Sequence, residues 1–76
     1  MNNNRRQTLR IASTHLMKAQ EIIDNVCGQE TDALYNVPEN LESSSTYETI
    51  EANVDLLEDA SQLVSEAIDK IHEAIA

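Results

Sequence analysis

Between Arg5 and Val37 apolar side chains return every three or four residues: Leu9, Ala12, Leu16, Ala19, Ile23 and Val26, then Ala33 and Val37, with Glu30 interrupting. Ile11, Ile22 and Leu34 flank this stripe. The spacing predicts an amphipathic helix over about residues 5–36. Gly28 falls inside it at a cost of about 1 kcal/mol relative to alanine. The helix is expected to run through that glycine, because the pattern resumes at Ala33-Leu34. Pro38 ends it, since the proline ring pushes Val37 out of the helical region. Met1 to Asn4 form a polar lead that is expected to fray.

Residues 37–44 (VPENLESS) read as a connecting loop. Ser45 and Glu48 have the spacing of a capping box, with Ser44 and Thr46 as rival caps. The second helix, over about 45–75, has the stronger pattern. Tyr47, Ile50, Val54, Leu57, Ser61, Val64, Ile68, Ile71 and Ile75 recur in steps of three and four, and Ser61 is the only polar member. Beside this seam runs a second stripe of Leu56, Ala60, Leu63, Ala67 and Ala74. An apolar face that wide suits a helix with more than one neighbour.

Two helices of matching length joined by a short loop make an antiparallel hairpin. A hairpin centred near residue 41 sets position i opposite about 82 − i. Leu16 then faces Glu66-Ala67, Ile23 faces Asp59-Ala60, and Arg6 and Arg10 come beside Asp69 and Glu73 as a set of ion pairs. The fold expected is therefore all-α: one helical-hairpin domain over residues 1–76, completing a four-helix bundle as a homodimer. Leu16, Ile23, Val54, Leu57, Leu63, Val64, Ile68 and Ile71 are expected to mediate self-association.

Charge sets the expected orientation of that dimer. Residues 1–20 contain four basic residues and no acid, whereas residues 21–60 contain eleven acids and neither Lys nor Arg. Placing two acidic loop ends side by side is repulsive, so the copies are expected head to tail. The whole chain of 76 residues has a net charge of −9, which argues against direct binding of nucleic acid. One glycine, one proline and 3% aromatic residues argue against a sheet. Cys27 is the only cysteine, so no disulfide closes within a chain. No apolar run reaches the roughly 20 residues of a membrane span. The N-terminus lacks the apolar core of an export signal, and with a free thiol this implies a cytoplasmic protein.

The stretch ETDALYNVPENLESSSTYETIEANVDLL, from Glu30 to Leu57, resembles a group of short acidic proteins encoded by phages and mobile elements of Gram-positive bacteria. The resemblance lies in Glu30 and Asp32 at the end of helix one, the Pro38-Glu39-Asn40-Leu41 loop, the Ser43 to Ser45 cap, and Glu51-Ala52 through Leu56. Proteins of this kind are often inhibitors of host defence or of host enzymes. The resemblance implies an anti-defence inhibitor at work in the cytoplasm of the host cell.

No residue pattern points to catalysis. The chain has no Gly-rich phosphate loop, no paired cysteines and no Ser/His/Asp spacing, and pairs such as Glu58-Asp59 sit on a solvated face where nothing raises a carboxyl pKa. A non-enzymatic protein without metal or cofactor is expected. His15, Asp69 and His72 come within reach of one another in the hairpin, but a di-iron bundle needs two Glu-x-x-His motifs and further glutamates, so the histidines are read as surface residues. Cys27 is read as a small, half-buried apolar residue.

Three functional readings follow. Eleven carboxylates over the loop half amount to one charge per about 2.5 Å, against one phosphate per about 3.4 Å of a DNA strand. That density suits imitation of nucleic acid towards a host protein with a basic surface, through Glu30, Asp32, Tyr35, Glu39, Asn40, Glu42, Glu48, Glu51 and Asp55. Alternatively, Arg5, Arg6 and Arg10 at a subunit junction bind an anion such as a nucleotide, making the protein a ligand sponge. The third reading is a structural assembly module whose acids keep it soluble.

Overall fold

In a computed structural model, which describes residues 1–41 and 44–76, the chain forms two long helices joined by a short turn. The first helix, α1, is Asn3–Tyr35 and the second, α2, is Ser45–Ile75. At 1.5 Å per residue these are rods of about 50 and 47 Å. They lie antiparallel in a body of 60 × 14 × 14 Å. The radius of gyration, 17.3 Å, far exceeds the roughly 11 Å of a compact domain of this length. No helix among the described residues is long and apolar enough to cross a membrane.

Both helix starts are built on side-chain caps. The Asn2 carboxamide oxygen accepts from the Arg5 amide at 2.8 Å, so α1 begins two residues earlier than the apolar pattern indicates. Asn2 satisfies an amide that would otherwise be orphaned, so the expected fraying gives way to a cap. At α2 the Ser44 hydroxyl accepts from the Tyr47 amide at 3.2 Å. Ser44 rather than Ser45 is therefore the cap, and the Ser45–Glu48 capping box does not form. Helix α1 ends at Tyr35, with the Asn36 and Val37 amides bonded back to Asp32 and Leu34. After Pro38 a single 3-10 turn, Glu39–Leu41, leads towards α2, and the Ser44 amide reaches the Leu41 carbonyl at 2.9 Å.

The seam of α2 is the one its periodicity predicts. Val54 and Ile68 are the buried apolar residues, 8% and 7% exposed, and Tyr47, Ile50, Leu57, Ser61, Val64, Ile71 and Ile75 are half-buried. The α1 seam departs from expectation in its second half. Val26 and Ala33 are exposed, and Cys27 and Leu34 take their places, half-buried together with Glu30 and Thr31. The reason lies in the column Ser13, Gln20, Cys27 and Leu34, spaced every seven residues beside Leu9, Leu16 and Ile23. Two adjacent columns, each repeating every seven residues, stay on a partner helix as the two coil around each other, and the polar character of Ser13 and Gln20 hides the second one.

Cross-helix hydrogen bonds set the register. Ser13 Oγ and His72 Nε2 lie 2.9 Å apart, the Gln20 carboxamide donates to the Ser61 carbonyl at 3.4 Å, and the Ser61 hydroxyl donates to the Asp24 carboxylate. Nearer the loop, the Cys27 thiol points at the Val54 carbonyl, 3.9 Å away. These pairs agree with a hairpin centred near residues 41–42. The ion pairs among the described residues are Lys18–Glu21 at 3.5 Å and Lys70–Glu73 at 3.6 Å, both within one helix. The expected pairing of Arg6 and Arg10 with Asp69 and Glu73 is absent. Glu73 is taken by its helical neighbour Lys70, and an Arg6 guanidinium nitrogen donates to the Asn3 side chain at 3.3 Å.

Helix α1 runs unbroken through Gly28, where an added Cβ would meet nothing within 4 Å. Gly28→Ala should therefore stabilise the protein by about 1 kcal/mol. For a domain of this size the midpoint of a thermal melt followed by circular dichroism should rise by roughly 4–8 °C. A fall would show that the glycine serves a contact outside the single chain.

Candidate interaction surfaces

The helical repeat sorts the residues flanking the seam into two sides. On one side of the seam α1 presents Ala12, Ala19, Val26 and Ala33, with His15, Ile22 and Gln29 outside them. On the same side α2 presents Asn53, Ala60, Ala67 and Ala74, with Leu56, Leu63 and Lys70 outside them. Val26, Glu30, Asn53, Leu56 and Leu57 line one shallow groove there, which ties the two helices' columns together. Leu56 and Leu63 are 65% and 64% exposed, and Ile22 and Val26 are exposed as well. Glu30 lies in that groove, and Asp59, Glu66 and Glu73 follow on the outer face of α2, one column beyond Leu56, Leu63 and Lys70.

The opposite side is marked by the Asp24–Ser61 and Ser13–His72 hydrogen bonds. It gathers Glu48, Asp55 and Asp69 in one column of α2, Glu51 and Glu58 in the next, and Glu21 and Asp24 from α1. All seven are exposed. Of these acids only Glu21 is held in an ion pair, and Asp24 accepts a hydroxyl hydrogen bond. The others face water with no cation of this chain against them among the described residues. The hairpin thus has an oily side and an acidic side.

The residues singled out for a partner fall mostly on or near the acidic half. Glu48, Glu51 and Asp55 lie on the acidic side, Asp32 on the outer face of α1, and Tyr35, Glu39 and Asn40 around the turn, all exposed. Glu30 is half-buried on the oily side and so stands apart from the others. Glu42 lies outside the described residues. The residues expected to join copies are placed otherwise. Leu16, Ile23, Val54, Leu57, Val64, Ile68 and Ile71 are buried or half-buried in the seam of a single chain, and Leu63 alone is exposed. The reason is geometric: the apolar stripe with the best periodicity is the one that meets the helix joined by the loop, and what remains for another molecule is the weaker, alanine-rich stripe beside it.

Arg5, Arg6 and Arg10 diverge. Successive residues turn by about 100° around a helix, so Arg6 faces the seam, Arg5 the oily side and Arg10 the acidic side. Arg5 lines a small groove with Met1, Thr8 and Leu9. His15 and His72 separate in the same way, since His72 bonds Ser13 on the acidic side while His15 is exposed on the oily side. No group of three His, Cys, Asp or Glu residues that could hold a metal occurs among the described residues.

Pattern reading passed over Ser13, which is 4% exposed and the one buried polar residue among those described. Its seven-residue spacing from Gln20 and Cys27 is the signal that locates it. No protein-family model matches this chain, and no curated protein or solved structure matches it.

Because Ser13 is buried and His72 exposed, losing either partner has unequal effects. His72→Ala strands a buried hydroxyl and should destabilise the hairpin by about 1–3 kcal/mol, whereas Ser13→Ala removes the stranded group and should cost less. In urea titrations the double variant should be more stable than the sum of the single losses predicts. Additive losses would show that the pair contributes nothing to the register.

Proposed function

We propose that this protein is a non-enzymatic interaction protein that engages a basic surface on another protein through its acidic side. The reading rests chiefly on the sorting of charge: eleven acids lie in residues 21–60 without a Lys or Arg, and the exposed acids of α2's loop half stand unneutralised on one side of the rod. Unpaired carboxylates in a row repel one another, and a cationic partner relieves that repulsion while steering encounter. The phage-type resemblance of residues 30–57 supports the same direction, that of an inhibitor of a host protein that handles nucleic acid. Its working place is then the cytoplasm of the host cell.

We further propose that it acts as a homodimer forming a four-helix bundle. The accessible surface, 5567 Å², is about 900 Å² more than the roughly 4,650 Å² of a folded monomer of this mass. That excess is close to the approximately 800 Å² per partner of a standard interface. The divergence of Arg5, Arg6 and Arg10 within one chain leaves the nucleotide-sponge reading without a preformed pocket. An assembly module without a target is the remaining alternative.

The test starts from affinity capture on the intact protein from a host lysate, with captured proteins identified by mass spectrometry and then purified. Binding of a captured target should fall steeply as salt rises, and double-stranded DNA should compete for it. The variant Glu48→Gln/Glu51→Gln/Asp55→Asn/Glu58→Gln should bind at least tenfold more weakly with unchanged helicity. A target bound equally well by wild type and variant, without salt dependence, would overturn the acidic-side reading.

A further inference from the structure

The oily side has its own charge pattern, and it differs between the two ends of the rod. Arg5, His15 and Lys70, the last paired with Glu73, border it at the end with both chain termini, while Glu30 sits in the groove with Val26 and Leu56 at the loop end. Lys70 lies at about the level of Ser13, as the Ser13–His72 bond shows. Seventeen residues of α1 separate Ser13 from Glu30, so the two charges stand about 25 Å apart along the rod. Their midpoint falls near the Gln20–Ser61 hydrogen bond, which is also close to the middle of the hairpin.

We infer that a second copy of this chain covers the oily side with its own oily side, the two rods antiparallel, so that the Lys70 end of each copy lies level with the Glu30 end of the other. The inference rests on the homodimer reading and adds the face and the direction. A two-fold axis perpendicular to the rod at its midpoint carries the level of Lys70 onto that of Glu30. A two-fold along the rod would instead oppose Lys70 to Lys70 and Glu30 to Glu30, and would bring both acidic loop halves together. Alanines at 12, 19, 60 and 67 keep the face low, so that Ile22, Leu56 and Leu63 of one copy can seat between helices of the other. Within one chain Lys70 is held only by an exposed pair with Glu73 at 3.6 Å. Such pairs are weak, which leaves the ammonium free to re-pair. Glu30 is half-buried without a cation of its own among the described residues. The occupant is a copy of this chain rather than another protein, because the exposed excess matches one standard interface and the face is complementary to itself.

Cross-linking reads the arrangement. In a Cys27→Ser background, Asn53→Cys chains mixed with Lys70→Cys chains and oxidised should give mainly the mixed disulfide, because the two-fold packs α2 on α2 and Asn53 shares the groove and level of Glu30. A cysteine pair 25 Å apart cannot close within one chain, so a chain with both substitutions should likewise cross-link only to another copy. Sedimentation of the unmodified protein at micromolar concentration should show a dimer. Leu63→Glu should weaken that dimer at least tenfold, and Ile11→Glu on the outer face of α1 should leave it unchanged. A dimer that gives 53–53 and 70–70 disulfides, or no disulfide at all, overturns the proposed face and direction while the homodimer stands. A monomer that remains folded at that concentration overturns both.

Discussion

Two helices touch along one line only, and that geometric fact governs the rest of this molecule. A rod 14 Å across cannot enclose a side chain from all directions, so among the described residues Val54 and Ile68 are the only buried apolar ones and the other seam residues are half-covered. With so little apolar enclosure, hydrophobic contact holds the helices together but specifies their alignment weakly. The polar contacts complete the specification. Ser13 with His72, Gln20 with Ser61 and Ser61 with Asp24 tie the arms together at two levels. A slip of one residue would break them all, at a penalty greatest for the buried Ser13 hydroxyl.

The same geometry explains why the surface divides so sharply. Each helix turns one stripe to its partner and leaves two flanks, and the antiparallel arrangement joins like flanks into two long sides. On one of them alanines alternate with exposed Ile22, Leu56 and Leu63, and on the other carboxylates follow one another at helical spacing. Acids scattered around both helices would have given a uniformly solvated rod. Asp32, Asp59, Glu66 and Glu73 keep to the outer faces, which leaves a side that water covers poorly and a side that repels itself, each suited to a different kind of contact.

These two sides give the functional proposals their shape. Apolar burial is non-directional and scales with area, so the oily side suits a permanent, self-complementary contact. Charge acts at longer range and is screened by salt, so the acidic side suits a partner that is met, held and released. In an antiparallel assembly the acidic sides of the two copies face outward, with their loop ends at opposite tips. Self-association and recognition then use different residues and do not compete.

The chain's periodicity alone determined the two helices, their antiparallel pairing, the register near residue 41 and the whole α2 seam from Tyr47 to Ile75. Those features follow from local rules: a 3.6-residue repeat, a proline stop and two arms of equal length. The helix starts at Asn2 and Ser44 were decided by which side chain reaches a free amide, a choice among neighbours of the same chemical type. The second half of the α1 seam was decided by packing against α2, which turned Cys27 and Leu34 inward in place of Val26 and Ala33. Ser13 and Glu30 were illegible for a related reason, because polar residues on an apolar stripe look like interruptions until a partner is seen to cover them. Which apolar stripe stays open, and that Glu30 lies in its groove, depends on how two helices turn relative to each other. That rotation is a property of the packed pair, and neither helix encodes it alone.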